Sequence, residues 1–152
     1  MTDTNEVIER PFYTADVVCV RGDEVLLIKR GWPPYEGSWA LAGGHCDAGE
    51  TSRAAAAREL FEETGVVAGA AALIPLGVFD DPDRDPRGRY VTVAYLAVVP
   101  ADTEATAGDD AAAVRWAPLD SPGEDLAFDH ALILDAARLH LANHHVSTGA
   151  HA

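Results

Sequence analysis

Three glutamates in one short segment have the spacing that chemistry on phosphates requires. Glu59, Glu62 and Glu63 lie three and four residues apart, so on a helix, at about 100° per residue, their carboxylates face one side. Such neighbours repel each other, and a hard divalent cation such as magnesium, which binds carboxylates together with waters and phosphate oxygens, would relieve this repulsion. The spacing therefore predicts a metal site at which a bound water attacks phosphorus.

A plainer interpretation is the solvated face of a surface helix, with Arg58 paired to Glu62 one turn later. For the glutamates taken alone, this interpretation is the better one. In either case the helix needs an apolar anchor on its other side, predicted to be Ala54, Ala57, Leu60 and Phe61. The small side chains of Ala55 and Ala56 are predicted to lie beside the carboxylates and to leave room for a bulky ligand.

The context of the glutamates favours the metal site. The segment GHCDAGETSRAAAARELFEETGV has glycine, glutamate, arginine and aliphatic residues at fixed intervals, on Gly44, Glu50, Arg58, Glu59, Leu60, Glu62, Glu63, Gly65 and Val66. This pattern matches the Nudix box at every defining position, and the chain is identified on it as a member of the Nudix hydrolase family. Members hydrolyse a nucleoside diphosphate linked to another group, using Mg²⁺ or Mn²⁺.

The resemblance implies an α/β fold, an α/β/α sandwich with a mixed β-sheet and a catalytic loop-helix-loop motif. It also implies metal ligands at Glu59, Glu62, Glu63 and Gly43. Glu50 would be an auxiliary carboxylate, and Arg58 would orient the glutamates rather than react. The chain departs from the family at Ala42, where a proline is usual, and this alanine is expected to loosen the loop slightly.

Substrate choice is expected to depend on segments outside the box. The stretch DDPDRDPRGRYVTVAYLAVV, together with LAFDHALIL, resembles ADP-ribose pyrophosphatases, which implies cleavage of ADP-ribose to AMP and ribose 5-phosphate. Arginine side chains offer planar donors to phosphate oxygens, so the predicted substrate-binding residues are Arg84, Arg87 and Arg89. An ordinary exposed loop, balanced by its own aspartates, explains these arginines equally well. Candidates for stacking on adenine are Tyr13, Trp32, Tyr35, Trp39 and Tyr90.

The general base is the least specified residue. Related enzymes take it from the box or from a later loop, and the loop ADTEATAGDDA carries Glu104, Asp109 and Asp110. For any one of these three, a solvated turn is the more common role. His45 lies next to the box and could contact substrate, although a single loop histidine is usually incidental.

Two other functions fit the same motif. A hydrolase that removes damaged nucleoside triphosphates would share the chemistry and differ only in its pocket. A non-catalytic regulator that senses ADP-ribose would need a DNA-binding module, and no basic recognition helix is evident in the sequence.

The elements that must position these residues can be read from the pattern of apolar residues. Strands are predicted at Ala15 to Arg21 and Val25 to Arg30, joined as an antiparallel hairpin by Gly22-Asp23. The connector GWPPYEGSWALAGG excludes a regular helix, and a helix from Glu50 is predicted to stop at Gly65. Further strands are expected in ALIPLGVF, YVTVAYLAVV and AVRWAPL, followed by a final helix in DHALILDAARLHLAN.

Length and composition limit the other possibilities. The 152 residues, 48% of them hydrophobic, predict one domain over 1–143 and a frayed tail over 144–152. A net charge of −14 with only 11 lysines and arginines argues against a nucleic-acid surface. The two cysteines cannot form a disulfide framework, and Cys19 is expected in the core, so we expect a cytoplasmic protein. No signal peptide or membrane span is expected, and a homodimer is possible by resemblance.

Overall fold

The structure is a computed structural model that describes residues 5–108, 110–123 and 125–149. It contains seven strands, two α-helices and one short 3₁₀ turn at Ala70–Ala72. The strands are β1 Phe12–Arg21, β2 Glu24–Arg30, β3 Trp39–Ala40, β4 Ala42–His45, β5 Ile74–Phe79, β6 Tyr90–Val98 and β7 Ala111–Pro118. The helices are α1 Ser52–Thr64 and α2 His130–Gly149.

The strands form one mixed sheet around β1. This strand pairs in parallel with β6 and antiparallel with β2 and β4, while β2 also pairs with β3 and β7, and β5 pairs with β6. The predicted hairpin is confirmed, since β1 and β2 meet at Gly22, whose φ of 52° lies in the left-handed region that glycine adopts at little cost. Strands β5, β6 and β7 and both helices were also predicted at their observed places in the chain.

The two faces of the sheet are each covered by one helix. Alternate residues of β1 point to opposite faces, so Val17 and Cys19 pack in the cluster that contains the alanines of α1, whereas Val18 and Val20 pack in the cluster that contains Ile133 of α2. The predicted α/β/α sandwich is therefore confirmed. Cys19 is a buried core residue, as expected, and neither cysteine is bonded to the other.

Helix α1 has the ends that its sequence predicts. The Thr51 side chain accepts a hydrogen bond from the Ala54 N–H and caps the first turn, and Gly65 closes the helix with a φ of 73°. Both ends of the helix are therefore satisfied by contacts within its own segment.

The predicted buried side of α1 was right for Leu60 and Ala57, which pack against the core, and wrong for Phe61. Ala55, Ala56 and Leu60 are fully buried, while Phe61, expected to anchor the helix, is 56% exposed. Small alanines let the helix axis come close to β1 and β4, and a phenylalanine on that side would hold the helix away. The consequence is that Glu63, which shares the buried side, is carried inward rather than toward solvent.

Two further segments differ from expectation. The connector before the box contains two short strands, β3 and β4, and Ala42 lies within β4, paired with Val17, rather than in a loop. Helix α2 runs to Gly149, past the boundary expected at residue 143, while residues 150–152 lie outside the described part of the chain. Neither described α-helix combines the length and apolar character needed to span a bilayer.

Candidate active site

A cleft of about 300 Å³ opens where β1, β2 and β4 meet the inner side of α1. The loop between β5 and β6 and the start of α2 complete its wall. The acidic residues that line it include Asp16, Glu59 and Glu63, and the basic ones are Arg30, Arg84 and Arg87. Acidic and basic side chains are thus gathered in one depression.

The paired glycines of β4, Gly43 and Gly44, let the side chains of Glu59 and Glu63 approach the sheet closely. The Gly43 N–H donates to Glu63 Oε1 at 3.4 Å. A side chain at Gly44 would put its Cβ 2.6 Å from the Glu59 carboxylate, and one at Gly43 would collide with Asp16. The paired glycines are therefore required by the close approach of the carboxylates to the backbone, not only by turn geometry.

Glu59 and Glu63 form a largely buried carboxylate pair, and few hydrogen bonds or positive charges offset their negative charge. Burial and the charge of Glu59 raise the pKa of Glu63 to about 9, and burial also raises the pKa of Glu59. Glu63 Oε2 has no hydrogen-bond partner among the described residues. Two such groups cannot both be ionised at neutral pH unless a cation lies between them, so this pair fits a divalent metal.

The pair does not gather a third carboxylate. Within the described ranges, no three His, Cys, Asp or Glu side chains converge on one point that could hold a metal ion. Magnesium needs only one or two protein carboxylates when waters and substrate oxygens complete its shell. The geometry therefore favours Glu59 and Glu63, with the adjacent backbone of Gly43, as the protein's share of the ligands.

Glu62 differs from its two neighbours. Its side chain is 52% exposed, does not line the cleft and lies 3.1 Å from Arg58 Nη1. This is the i,i+4 pair that the surface-helix interpretation expected. The structure thus separates the three glutamates into an inward pair and one outward residue, because the i,i+4 pair Glu59 and Glu63 share the buried side of α1, and Glu62 does not.

Arg58 holds the outer edge of this carboxylate pair. Its Nε and Nη2 donate to both oxygens of Glu50 at 2.9 Å, and its Nη1 donates to Glu59 at 2.8 Å. A further bond from Nη2 to the His45 carbonyl ties the arginine to β4. Hydrogen bonds from Arg58 lower the pKa of Glu50 to about 2. These contacts match an orienting role for Arg58. They also put the Arg58 guanidinium between Glu50 and the carboxylate pair.

The opposite end of the cleft is basic, and Arg84 is its structural anchor. Its side chain is only 4% exposed and donates to both oxygens of Asp129 at 2.7 and 3.0 Å. A second carboxylate, Asp16, lies 3.9 Å away. Arg84 lines the cleft as predicted, but its donors are used to fasten the β5–β6 loop to the start of α2.

Arg87 is the exposed arginine of the same loop. Asp85 accepts from Arg87 Nε and Nη2 at 3.1 and 2.8 Å, and the guanidinium lies 4.7 Å from the centre of the Tyr90 ring. Its side chain remains 39% exposed at the cleft. One edge of the Arg87 guanidinium is therefore held by Asp85, and the other edge can bind a ligand.

Two predicted substrate residues lie elsewhere. Arg89 donates to the Asp80 carbonyl and pairs with Glu9 at 3.2 Å, and neither Arg89 nor Tyr13 lines the cleft. The arginines lie in the irregular loop before β6, where spacing along the chain does not determine which way each side chain points. These two predicted substrate-binding residues therefore lie outside the cleft.

A model of the Nudix domain matches residues 11–136 of this chain. The chain belongs to the Nudix hydrolase family. Over 124 residues it is 39% identical to an ADP-ribose pyrophosphatase of Methanocaldococcus jannaschii, covering 82% of this chain and 71% of that protein. The predicted family, and its similarity to ADP-ribose pyrophosphatases, are thereby confirmed.

Solved structures of the family share the fold. The Nudix domain of Shewanella oneidensis NrtR, complexed with ADP ribose, superposes with a TM-score of 0.80 at 32% identity, covering 88% of this chain and 90% of that chain. A bifunctional NMN adenylyltransferase/ADP ribose pyrophosphatase of Francisella tularensis, complexed with AMP and a Mn ion, superposes with a TM-score of 0.75 at 33% identity. That match covers 84% of this chain and 41% of the Francisella protein.

The Nudix cleft also contains residues that the sequence did not suggest. Asp16 lies within an apolar strand, accepts a hydrogen bond from Thr92 at 2.6 Å and lies 3.5 Å from His130. The Leu41 N–H donates to the other ring nitrogen of His130 at 3.0 Å. A lone aspartate inside the run ADVVCV was the available signal, since a charged residue in a buried strand needs partners.

The candidates for the general base are now distinguished by position. Asp110 lines the Nudix cleft, whereas Glu104 is exposed and does not line it, and Asp109 lies outside the described residues. The preceding loop is tied to the end of α1, because Gly108 N–H donates to the Glu63 carbonyl at 2.8 Å. This bond keeps the loop that precedes Asp110 beside the end of α1. His45 lines the cleft too, within 3.2 Å of the Tyr90 hydroxyl.

Proposed function

We propose that this Nudix hydrolase cleaves ADP-ribose to AMP and ribose 5-phosphate in a reaction that requires Mg²⁺ or Mn²⁺. The observation that carries the proposal is the lining of one cleft by the carboxylate pair of α1, Glu59 and Glu63, together with arginines of the β5–β6 loop. ADP-ribose joins adenosine to ribose through a diphosphate. Its hydrolysis needs a cation to neutralise charge at the attacked phosphorus, and hydrogen-bond donors for the remaining phosphate oxygens.

The chain's own residues have separate tasks in this reaction. When bound, a divalent cation neutralises phosphate charge and makes a bound water more acidic. Glu59 and Glu63 would hold that cation, and Arg58 keeps the orientation of Glu59 through its bonds to Glu59 and Glu50. Asp110 is the best placed of the described loop residues to accept the proton of the attacking water. Arg87 binds substrate oxygens with the edge of its guanidinium that Asp85 leaves free.

The relatives support ADP-ribose as the substrate. One is described as an ADP-ribose pyrophosphatase, and the Francisella structure contains AMP, which is one of the proposed products, together with a manganese ion. The NrtR domain was solved with ADP ribose itself. These ligands belong to those proteins, and for this chain they indicate which compounds should be tested first.

A binding domain without hydrolysis is the second candidate. It is favoured by the NrtR domain, which superposes on most of this chain and contains intact ADP ribose. Both candidates predict binding of ADP-ribose, and only the first predicts turnover. The buried pair Glu59 and Glu63 favours turnover, because a site that only binds ADP-ribose has no evident need for two buried carboxylates.

The proposal is tested by a substrate panel with product identification. The protein is incubated with Mg²⁺ and ADP-ribose, a sugar nucleotide, a dinucleoside polyphosphate and an oxidised nucleoside triphosphate. We expect ADP-ribose to be cleaved to AMP and ribose 5-phosphate with the highest kcat/KM and no turnover in excess chelator. A tenfold preference for the triphosphate would instead assign a pool-cleaning hydrolase, and tight binding without products would assign a sensor.

We further propose a cytoplasmic homodimer. Two unbonded cysteines are typical of a reducing compartment, and several apolar side chains at the start of the described chain are exposed, including Val7, Ile8 and Phe12. Sedimentation equilibrium would give the mass of the assembly directly, and a monomer at micromolar concentration would reject the dimer.

A further inference from the structure

Two histidines of α2 lie one helical turn apart and do not line the cleft. His140 and His144 have the i,i+4 spacing that puts two side chains on the same face of a helix. Their rings are stacked, with centres 3.9 Å apart and planes 22° from parallel. His140 is half-buried and His144 is exposed, so solvent and dissolved ions can reach the pair.

The hydrogen bond of His144 determines which of its ring nitrogens can bind a metal. Its Nδ1 lies 2.9 Å from the His140 carbonyl oxygen. Because a carbonyl only accepts, Nδ1 carries the proton, and the neutral ring has its lone pair on Nε2. Histidines that bind metals almost always donate their other N–H to a carbonyl, a carboxylate or water, which fixes the tautomer and the ring orientation. His144 therefore has the tautomer of an Nε2 metal ligand.

The separation of the two rings suits a shared dication. Zn–N bonds of about 2.0–2.1 Å in tetrahedral geometry place two imidazole nitrogens about 3.3 Å apart. Since the ring centres are 3.9 Å apart, small side-chain rotations bring one nitrogen of each ring to that distance. Two histidines at i and i+4 of one helix are a recurring zinc-binding arrangement. Imidazole suits Zn²⁺, Cu²⁺ and Ni²⁺, whereas Mg²⁺ prefers oxygen ligands.

The charges around the pair favour a cation. The sequence after Arg138 contains no lysine or arginine, and the chain has a net charge of −14. Arg138 itself is paired with Asp135 at 2.7 Å. Among the residues that the structure describes, no third His, Cys, Asp or Glu converges with the pair, so water would complete the shell of a bound ion. Such a two-ligand site binds its metal reversibly.

We propose that His140 and His144 form a bidentate site for a transition-metal dication such as Zn²⁺, which holds the later turns of α2 in helical form. One ion can contact both rings only while residues 140–144 are helical, so its binding stabilises that turn. The sequence alone predicts the domain to end at residue 143, and α2 continues to Gly149. The site is separate from the cleft, and its existence does not depend on the proposed hydrolysis.

The test measures Zn²⁺ binding to the full chain by calorimetry in excess Mg²⁺, which competes for the carboxylate pair but not for imidazole. We expect saturable binding of one Zn²⁺ per chain. His140→Gln and His144→Gln should each weaken it by at least about tenfold, and the double variant should be only slightly weaker, since either change already removes the chelate. His145→Gln is the matched control, because no histidine lies four residues from it, and affinity should change less than about threefold.

Thermal unfolding in the same buffer checks the fold of each variant. Without Zn²⁺, all the histidine variants should unfold close to the wild-type temperature, and Zn²⁺ should raise the Tm of the wild type and of His145→Gln only. Zn²⁺ affinity that survives in both His140→Gln and His144→Gln would overturn the proposal, as would a wild type that binds no Zn²⁺ in excess Mg²⁺. Glu63→Gln should keep its Zn²⁺ affinity, and a loss there would assign the ion to the carboxylate pair instead.

Discussion

The two ends of the cleft treat charge in opposite ways. At the carboxylate end, Glu63 is buried and the Glu59 side chain is 15% exposed, on the same side of α1, and Arg58 contacts only Glu59 of the pair. At the arginine end, Arg84 and Arg87 each have their own aspartate. The carboxylate pair is left with negative charge that a cation would balance. Arg87 keeps one edge of its guanidinium available to bind an anion. Chemistry is therefore expected at the carboxylate end and substrate binding at the arginine end.

The comparison is tested most strongly by removing single carboxylates from α1. Glu59→Gln and Glu63→Gln should each lower kcat on ADP-ribose by at least about a hundredfold with the fold intact, as expected for lost metal-based stabilisation. Glu62→Gln is the matched control, because its exposed side chain does not line the cleft, and we expect less than a tenfold loss. Steady-state kinetics on the three variants decides, and equal losses at all three positions would show that the inward pair has no special role.

The anchoring of the arginine end is tested by neutralising its aspartates. Asp129→Asn leaves the buried guanidinium of Arg84 without its ion pair and should destabilise the fold by about 3 kcal/mol. Asp85→Asn should cost less, about 1–2 kcal/mol, because the amide oxygen still accepts from the Arg87 backbone N–H and the exposed Arg87 guanidinium can turn to water. Urea unfolding of both variants gives the difference. If the two costs were the same, Arg84 and Arg87 would not differ in role.

How far the sequence predicted this site depends on how far apart its parts lie along the chain. The glutamate spacing, the helix stop at Gly65 and the hairpin at Gly22 are local patterns, and all were recognised. The bonds of Asp16 to Thr92 and of Leu41 to His130 join residues 76 and 89 positions apart. Such pairings depend on the register of β1 with β6 and on the docking of α2, which periodicity does not specify.

The buried side of α1 was partly mispredicted for a related reason. Hydrophobicity alone favoured Phe61 and Leu60 as anchors, and only Leu60 is buried. Small side chains between a helix and a strand let the two come close, and the sequence did not show that Ala55 and Ala56 would pack in one cluster with Ala42 of β4. In the arginine loop, composition identified the charged segment but not which guanidinium would be free.

Arg87 and Arg89 offer a finer comparison within one loop. Arg87→Ala should raise KM for ADP-ribose by about tenfold or more with a smaller change in kcat, because a charged hydrogen bond is worth roughly 1.5–3 kcal/mol. Arg89→Ala should change KM by less than about twofold, since Arg89 contacts Asp80 and Glu9 outside the cleft. Initial-rate kinetics over a range of ADP-ribose concentrations measures both. A larger effect at Arg89 would mean that the substrate extends beyond this cleft.

The smallest expected effect is a pH dependence of stability at His130, behind the arginine end. Burial lowers the pKa of His130 below its ordinary value of 6.5, and its Nδ1 accepts from the Leu41 N–H, so the folded ring is neutral. The charged groups facing it are Asp16, Asp129, Arg84 and Arg30. Because the unfolded chain takes up a proton near pH 6.5 and the folded chain does not, this contribution is present above pH 6.5 and is lost below it.

The His130 contribution is isolated by His130→Asn, which keeps an acceptor near the Leu41 N–H and cannot be protonated. Melting temperatures of both proteins at pH 7.5 and 5.5 are compared in chelator. The wild type should lose a few degrees more than the variant on acidification. An equal loss in the two proteins would assign the pH dependence to other groups, among them Glu63.

The central claim is that Glu63 and Glu59 are buried together for the purpose of holding a divalent cation. Thermal unfolding of the wild type and Glu63→Gln, each in excess chelator and in excess Mg²⁺, tests it without a substrate. We predict that Mg²⁺ raises the Tm of the wild type, that Glu63→Gln is already more stable than the wild type in chelator because the repulsion is gone, and that Mg²⁺ then adds little. A wild-type Tm that does not respond to Mg²⁺, or a variant that responds as strongly as the wild type, would contradict the claim.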